Sequence, residues 1–272
     1  MPELPEVETI ATDLRRELVG ATFTEVEIHW PAIVATHSAN EFSRNLCGQS
    51  VLDVGRRGKF LVLHLSGGGA LLFHLRMTGQ LLLRPGQNPR DPHDHVIFRL
   101  ADGRELRYCD QRKFGRVYLV CDASEIVREL GPEPLAKDFT PEQFAAMLAR
   151  RRGALKPLLL NQRFLAGLGN IYTDEALFVA RLHPRRRANT LSPDEVHRLY
   201  DAIHLVLRSA IAGRGTTFDG SYRDAHGQEG HYQGELRVFG REQATCPRCG
   251  ANIQRLMVGG RGTRICPQCQ PE

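Results

Sequence analysis

Apolar residues near the start of the chain recur at the spacing of one helix face. They are Val7, Ile10, Leu14 and Leu18. Pro5 fits the first turn of a helix, where its missing N–H costs nothing, and Gly20 is typical of the position just past a helix end. The pattern therefore predicts a helix within residues 2–19.

The pattern changes from about residue 21 to residue 120, where short apolar or alternating runs are separated by turn residues. Runs at 60–65 and 70–75 flank three glycines, and runs at 96–100 and 105–108 flank an Ala-Asp-Gly turn. A series of short strands joined by such turns indicates a β-sandwich.

Helical spacing returns after the segment Gly131-Pro132-Glu133-Pro134, which is typical of a linker. The predicted helices lie at 141–150, 155–161, 173–180 and 193–212. Ser192 and Glu195 have the spacing of a capping box at the start of the last of these helices. We predict a mobile loop at 213–234 and a strand at 235–239, so the fold class is α+β.

The charge distribution favours a polyanionic partner. The chain has 272 residues and a net charge of +5, with basic clusters at 56–59, 112–113, 150–152 and 185–187. Such clusters suit a phosphate backbone, although each one alone also fits a solvated surface. No apolar run reaches the roughly 20 residues of a membrane span, and the acidic first residues do not resemble an export signal. We expect a cytoplasmic protein with no membrane partner.

Four of the seven cysteines form two CxxC pairs near the C-terminus, with 16 residues between the pairs. They are Cys246, Cys249, Cys266 and Cys269. This spacing predicts one structural Zn²⁺ held by four thiolates, since no coordination position remains open for chemistry. A pair of disulfides is the alternative, and it is disfavoured in the cytoplasm. We interpret Cys47, Cys109 and Cys121 as small buried apolar residues.

Two further motifs have both a plain and a chemical interpretation. Glycines in the segment 167–172 fit a helix–turn–helix bend, but they also permit close approach to a phosphate. The segment Met1-Pro2-Glu3-Leu4-Pro5-Glu6 fits a helix start. If Met1 is removed, however, Pro2 has a secondary amine that is partly neutral near pH 7 and can attack a sugar C1′. Glu3 and Glu6 would then lie close enough to move protons.

Taken together, three motifs closely resemble bacterial formamidopyrimidine-DNA glycosylases, which repair 8-oxoguanine. These motifs are residues 1–9 at the N-terminus, Gly167-Leu168-Gly169-Asn170-Ile171-Tyr172, and the terminal CxxC pairs. The resemblance runs end to end. It implies a β-sandwich domain at 1–130 with flanking helices, a helix–two-turn–helix domain with a lesion-capping loop at 131–235, and a zinc-ribbon finger at 236–272. Double-stranded DNA with oxidised bases would bind between the domains, and the protein would act as a monomer.

The resemblance also implies an activity and its catalytic residues. Oxidised purines would be excised through a Schiff base on Pro2, and β,δ-elimination would then cleave the strand at the abasic site. Glu3 matches the general acid/base and Glu6 a supporting carboxylate. Lys59 matches a proton donor near the lesion's phosphate, and Arg261 matches the zinc-finger arginine assigned to δ-elimination.

The remaining matches concern DNA. Met77, Arg112 and Phe114 match the wedge that fills the gap left by a flipped base, whereas Met77 and Phe114 would otherwise be interpreted as core residues. The DNA-contacting matches are His74, His93, Arg151 and Asn170. Two departures are Phe239, where a tyrosine is frequent, and Arg151, where a lysine is common.

Three other classes of protein remain as alternatives. Endonuclease VIII-type enzymes prefer oxidised pyrimidines, but Leu4 stands where they usually have glycine. A zinc-finger protein that binds DNA without cutting it would not need Pro2, Glu3, Lys59 and Arg261 together. An RNA-binding or ribosome-associated zinc protein would fit the basic clusters but not the wedge residues.

Overall fold

The computed structural model describes residues 1–218 and 220–272. The chain forms two compact units. The N-terminal unit comprises Met1–Glu129 together with Gly213–Gln233, and the C-terminal unit comprises Leu130–Ala212 together with Gly234–Glu272. This division differs from the predicted one, which placed residues 213–233 with the helical domain.

Among its described residues, the N-terminal unit has two four-stranded antiparallel sheets and three α-helices. The helices are Leu4–Leu18 (α1), Ala39–Leu46 (α2) and Ser124–Val127 (α3). The strands are Phe23–Ile28 (β1), Val51–Arg57 (β2), Phe60–Leu65 (β3), Ala70–His74 (β4), Gly79–Pro85 (β5), Asp94–Leu100 (β6), Arg104–Asp110 (β7) and Arg116–Val120 (β8). Strand order is β1-β6-β7-β5 in one sheet and β2-β3-β4-β8 in the other, so the predicted sandwich is confirmed.

The core of this unit contains residues from both sheets and from α1. All four apolar residues of the predicted α1 face are at most 1% exposed and belong to it. Phe73 of one sheet meets Phe98 of the other with ring centroids 5.7 Å apart. Each such side chain contributes roughly 1.5–3 kcal/mol on burial, so α1 is fixed on the sandwich by its apolar stripe. Its first residues are fixed with it.

The described residues of the predicted mobile loop, 213–218 and 220–233, belong to the N-terminal unit, and several of them pack on it. Tyr222 and Ala225 are buried in the core of this unit, and the carbonyl of Ala225 accepts a 2.8 Å hydrogen bond from the N–H of Leu83 in β5. Arg214 donates to Asp13 of α1 at 2.6 Å. These contacts bury apolar surface and pair backbone groups, which explains why a glycine-rich sequence is held in place here.

The C-terminal unit consists of four helices and a two-stranded hairpin. The helices are Pro141–Ala149 (α4), Leu155–Leu160 (α5), Asn170–Ala180 (α6) and Pro193–Ala212 (α7), and the strands are Gln254–Val258 (β9) and Arg261–Ile265 (β10). The predicted capping box of α7 is confirmed, because Ser192 N–H donates to Glu195 at 2.8 Å and Glu195 N–H donates to the Ser192 hydroxyl at 3.2 Å.

The predicted strand at 235–239 is wrong, and Glu175 of α6 is the reason. A 3₁₀ turn at Tyr232–Glu235 leads into an irregular segment. The backbone N–H groups of residues 237, 238 and 239 all donate to the Glu175 carboxylate, at 2.9, 2.9 and 2.8 Å. A buried carboxylate thus takes the place of a neighbouring strand as hydrogen-bond acceptor. Burial raises the pKa of Glu175, and the three N–H donors oppose that rise.

Glu175→Gln is expected to lower the free energy of unfolding by about 2–4 kcal/mol, because the amide cannot accept all three hydrogen bonds and a buried donor is left unsatisfied. Urea denaturation measures the change. Glu142→Gln, at an exposed position of α4, is the matched control and should change stability by less than about 0.5 kcal/mol. Equal effects of the two substitutions would contradict the role of Glu175.

None of the three isolated cysteines is buried, so the prediction for them is wrong. Cys47 and Cys121 are exposed, and Cys109 is half-buried. Cys47 follows the last residue of α2, and Cys121 follows the last residue of β8, so both stand where the chain leaves an element at the surface.

Within the described residues, no helix is long and apolar enough to cross a membrane.

Candidate active site and zinc centre

The first residues of the chain are buried at the start of α1. Pro2 is buried, Glu3 is 2% exposed and Glu6 is 1% exposed, whereas Met1 is 42% exposed. Glu3 and Glu6 form a capping box, in which the N–H of Glu3 donates to Glu6 Oε2 at 2.7 Å. The packing of α1 therefore determines where Pro2 lies and places two carboxylates beside it in sequence.

The second oxygen of the Glu6 carboxylate binds the segment 213–233. Glu6 Oε1 accepts a 2.9 Å hydrogen bond from the N–H of Thr216. The preceding residue must be glycine, because Gly215 has a φ of +81° and a Cβ there would lie 2.9 Å from Glu6 Cγ. Glu6 thus connects the N-terminus to the segment that was predicted to be a mobile loop.

Lys59 and His74 lie close together on the sheet formed by β2, β3, β4 and β8. Lys59 is in the turn between β2 and β3 and is only 6% exposed. The next residue, Phe60, pairs with His74 across the β3–β4 ladder, and their rings meet edge to face at 4.6 Å. The sequence alone does not show this proximity.

His74 is a neutral side chain. Burial, together with the positive charges of Arg76 and Lys59, lowers the pKa of His74 to about 3. Its Nδ1 accepts a 3.2 Å hydrogen bond from the N–H of Arg76. The remaining proton must therefore be on Nε2, which can donate to a phosphate oxygen without carrying a charge.

His74 should make the protein less stable in mild acid. Its pKa is about 3 in the folded state and roughly 6.5 when unfolded, so its contribution is present above pH 6.5 and is lost as the pH falls toward 3. Between pH 7 and pH 5 the loss is about 1–2 kcal/mol. Urea denaturation at both pH values should show a smaller difference for His74→Gln than for the unmodified protein. A His74→Gln protein with the same pH dependence would disprove a neutral His74.

The three predicted wedge residues are exposed on two loops of the N-terminal unit. Met77, between β4 and β5, is 39% exposed, and Phe114, between β7 and β8, is 50% exposed. The guanidinium of Arg112 lies 4.7 Å from the centre of the Phe114 ring. His93 lies next to the second loop, since its carbonyl accepts from the N–H of Asp110 at 3.0 Å. Large apolar side chains left in water at a loop tip are available to a partner.

The C-terminal unit holds the other predicted DNA contacts. Asn170 is the first residue of α6, and its Nδ2 donates to the carbonyl of Gly262 at 3.1 Å. Gly262 directly follows Arg261, which is exposed at the start of β10. Arg151 is exposed after α4. Asn170 is therefore hydrogen-bonded to the residue that follows Arg261, at the turn between β9 and β10.

Sequence reasoning missed a buried ion pair that holds the start of β10, next to Arg261. Lys156 and Asp174 are both almost fully buried and lie 2.6 Å apart. The ammonium of Lys156 also donates to the carbonyl of Gly262 at 3.1 Å, and Asp174 accepts from the N–H of Arg264 at 3.0 Å. The signal was present in composition, because only four lysines occur beside 32 arginines.

The four predicted zinc ligands come together in the C-terminal unit. Their sulfur atoms all lie within 4.8 Å of one another, with 3.9 Å between those of Cys246 and Cys269 and 3.4 Å between those of Cys249 and Cys266. Tetrahedral zinc with Zn–S bonds of roughly 2.3 Å requires S–S distances of roughly 3.8 Å, so the donor set fits one Zn²⁺. The N–H of Arg248 points at the Cys246 sulfur at 3.4 Å, as expected for a thiolate ligand.

The zinc centre is packed against α6. Cys246 and Cys266 share a small apolar core with Phe178, and the Arg248 guanidinium lies 4.6 Å from the centre of the Phe178 ring. Gln270 donates to the carbonyl of Leu182 at 2.9 Å. A metal at this site would therefore fix the β9–β10 hairpin, and with it Arg261, to the helices of this unit.

Family models match three segments of the chain. The formamidopyrimidine-DNA glycosylase N-terminal domain matches residues 1–117, the formamidopyrimidine-DNA glycosylase H2TH domain matches residues 130–220, and a zinc finger found in FPG and IleRS matches residues 245–271. The predicted architecture and the zinc site agree with these matches.

Whole-length relatives agree with the family models. Formamidopyrimidine-DNA glycosylases of Pelotomaculum thermopropionicum and Herpetosiphon aurantiacus are 47% and 48% identical, each over 99% of this chain and over 99% and 100% of the relative. A crystal structure of a Lactococcus lactis FPG mutant with Fapy-dG-containing DNA covers both chains fully, with 37% identity and a TM-score of 0.93. The chain belongs to the formamidopyrimidine-DNA glycosylase family, whose members repair damaged bases in DNA.

Proposed function

We propose that the chain is a bifunctional glycosylase and abasic-site lyase that removes 8-oxoguanine and formamidopyrimidines with Pro2 as its nucleophile. The observation that carries this proposal is the placement of Pro2, which is buried at the start of α1 directly before the hydrogen-bonded pair Glu3 and Glu6. A surface helix start would need neither the burial nor the second bond from Glu6 to Thr216.

The first step needs a neutral amine. After removal of the exposed Met1, the nitrogen of Pro2 attacks C1′ of the damaged nucleotide, and the bond from C1′ to the base breaks. The base leaves with the bonding electrons and takes up a proton. The Pro2 nitrogen then gives up its proton, and its lone pair forms an iminium with C1′ as the bond from C1′ to the ring oxygen breaks. That oxygen takes up a proton and stays on C4′ as a hydroxyl, so the ring is opened with no oxidation or reduction.

Strand cleavage follows from the iminium. It acidifies the proton on C2′, whose removal expels the 3′-phosphate in β-elimination, and a second elimination expels the 5′-phosphate. We assign proton transfer to Glu3, a supporting role to Glu6, proton donation near the lesion's phosphate to Lys59 and the second elimination to Arg261. Side chains at a fixed location can move protons this way without a metal-bound water.

DNA would be bound through side chains of both units. Met77, Arg112 and Phe114 would fill the gap left by the extruded base, since a base within the stack cannot be reached by an amine. His74, His93, Arg151 and Asn170 would contact the strand. The relatives' complexes with damaged-base DNA support this partner. A monomer in the cytoplasm stays a prediction.

Borohydride trapping tests the proposal. The protein is incubated with a duplex containing 8-oxoguanine opposite cytosine, reduced, and digested for mass analysis. An adduct on the peptide that begins with Pro2 is the expected result. Tight binding without an adduct would instead favour a DNA-binding module, and faster release of thymine glycol than of 8-oxoguanine would favour the pyrimidine-specific enzymes.

A further inference from the structure

We propose that Asp110 is the positioning residue of the wedge, and that its carboxylate fixes the two wedge loops in one arrangement before DNA binds. The inference rests on the proposed function, because it takes Met77, Arg112 and Phe114 as the residues that enter the base stack. The feature that carries it is a fully buried carboxylate at the last position of β7, beneath exposed side chains.

The Asp110 carboxylate joins the two loops directly. Its Oδ1 accepts a 2.6 Å hydrogen bond from the hydroxyl of Thr78, the residue after Met77. The same oxygen accepts from the N–H of Arg112 at 3.1 Å, while Oδ2 accepts from the N–H of Gly115 at 2.8 Å. Gly115 directly follows Phe114, so every wedge residue is itself bonded to this carboxylate or adjoins a residue that is.

A further bond closes the link between the loops. The hydroxyl of Thr78 accepts from the N–H of Arg112 at 3.2 Å while it donates to Asp110. Thr78 can do this because a hydroxyl is both donor and acceptor. The groups that donate to the carboxylate are a hydroxyl and two backbone N–H groups, all uncharged. Their hydrogen bonds therefore orient the two loops and do not neutralise the charge of Asp110.

The backbone of Asp110 is fixed as well. Its carbonyl lies 2.8 Å from the Nε2 of His95, and its N–H donates to the carbonyl of His93. Asp110 is thus bonded to the segment that carries the predicted DNA contact His93. Neither the side chain nor the backbone of Asp110 can shift without moving one of these partners.

Steric limits keep the wedge loop between β7 and β8 in one conformation. A Cβ at Gly115 would lie 1.6 Å from the hydroxyl of Tyr108, so no larger residue fits there. Lys113 has a φ of +59°, an uncommon conformation for a residue with a side chain. Such a conformation persists when surrounding contacts determine it, and the Asp110 bonds on both sides of Lys113 supply them.

A preformed wedge should matter where base extrusion limits the rate. In a paired duplex the wedge must enter the stack as the lesion leaves, so misplaced side chains slow excision. Opposite a missing base the lesion has no pairing partner, and extrusion is easier. A defect in positioning therefore slows excision from the paired duplex much more than from the unpaired one, whereas a general loss of folding slows both alike.

Thr78→Val is the central test, because it removes the hydroxyl that bonds both loops and leaves Asp110 in place. We expect single-turnover excision from an 8-oxoguanine:cytosine duplex to slow by about tenfold or more, against less than about threefold when 8-oxoguanine faces a tetrahydrofuran site. Thr78→Ser restores the hydroxyl and should restore the rate. Asp110→Asn should likewise slow excision from the paired duplex more than from the unpaired one. The thermal unfolding temperature and the zinc content of each variant show whether it is correctly folded.

Thr24→Val is the matched control, since the Thr24 hydroxyl also makes a hydrogen bond in this unit, to the carbonyl of Arg99 at 3.3 Å, but on an exposed strand. Met77→Ala separates the two levels of inference. Normal excision by Met77→Ala from the paired duplex overturns the wedge itself. The role of Asp110 alone is overturned if Met77→Ala slows excision while Thr78→Val leaves the rate normal. It is also overturned if Thr78→Val slows excision equally on both duplexes.

Discussion

Glu3→Gln is expected to lose base excision while it keeps its affinity for damaged DNA. Removal of a general acid/base lowers the rate by at least about 10²-fold. The fold should survive, because glutamine has nearly the same volume as glutamate and the hydrogen bond from the Glu3 N–H to Glu6 does not use the Glu3 side chain. Single-turnover excision of 8-oxoguanine and a binding titration with an uncleavable duplex measure the two effects separately.

Glu17→Gln is the control for this substitution. Glu17 lies on the same helix at an exposed position, where it pairs with Arg104, and such a surface pair contributes little. Its excision rate should be unchanged. A Glu3→Gln enzyme that excises at the unmodified rate would refute the assignment of Glu3. Equal weakening of binding and excision would instead point to a structural role.

Cys249→Ser should lose zinc and DNA affinity together. An exposed hairpin of two strands is marginally stable by itself, and structural zinc contributes roughly 10–16 kcal/mol of apparent binding energy to small zinc domains. Without the metal, the β9–β10 hairpin should no longer hold Arg261 in one place. We expect less than one equivalent of zinc by mass spectrometry, and a DNA affinity lower by at least about tenfold as a phosphate contact is lost.

Cys47→Ser provides the comparison, because Cys47 is an exposed cysteine of the N-terminal unit, far along the sequence from the four ligands. It should retain one zinc and normal affinity. Cys249 is itself exposed, so the substitution removes little buried apolar surface, and its effect reports the metal. A zinc-free Cys249→Ser protein that binds DNA normally would disprove the structural role of the site.

The sequence alone predicted those features whose residues lie close together in the chain. The spacing of the cysteines predicted the zinc site, the Ser192–Glu195 pair predicted the start of α7, and the apolar spacing predicted the buried face of α1. In each case the partners lie within a few turns or a short hairpin. Short-range geometry leaves few other arrangements for them.

Sequence reasoning failed where a buried polar group is satisfied from far along the chain. Glu175 accepts from residues 62 to 64 positions away, and Asp110 joins a loop 32 positions distant. The strand expected at 235–239 was absent for this reason. No periodicity marks such a carboxylate, since its partners are backbone groups that every residue has.

The packing of residues 213–218 and 220–233 on the N-terminal unit has a consequence for protein synthesis. Tyr222 and Ala225 belong to the core of a unit whose other residues end at Glu129. That core cannot be completed until more than 80 further residues, Leu130–Ala212, have left the ribosome. A fragment cut at residue 129 would lack part of its own interior and the backbone donor that Thr216 gives to Glu6. The nascent chain therefore acquires its finished N-terminal site only late in translation.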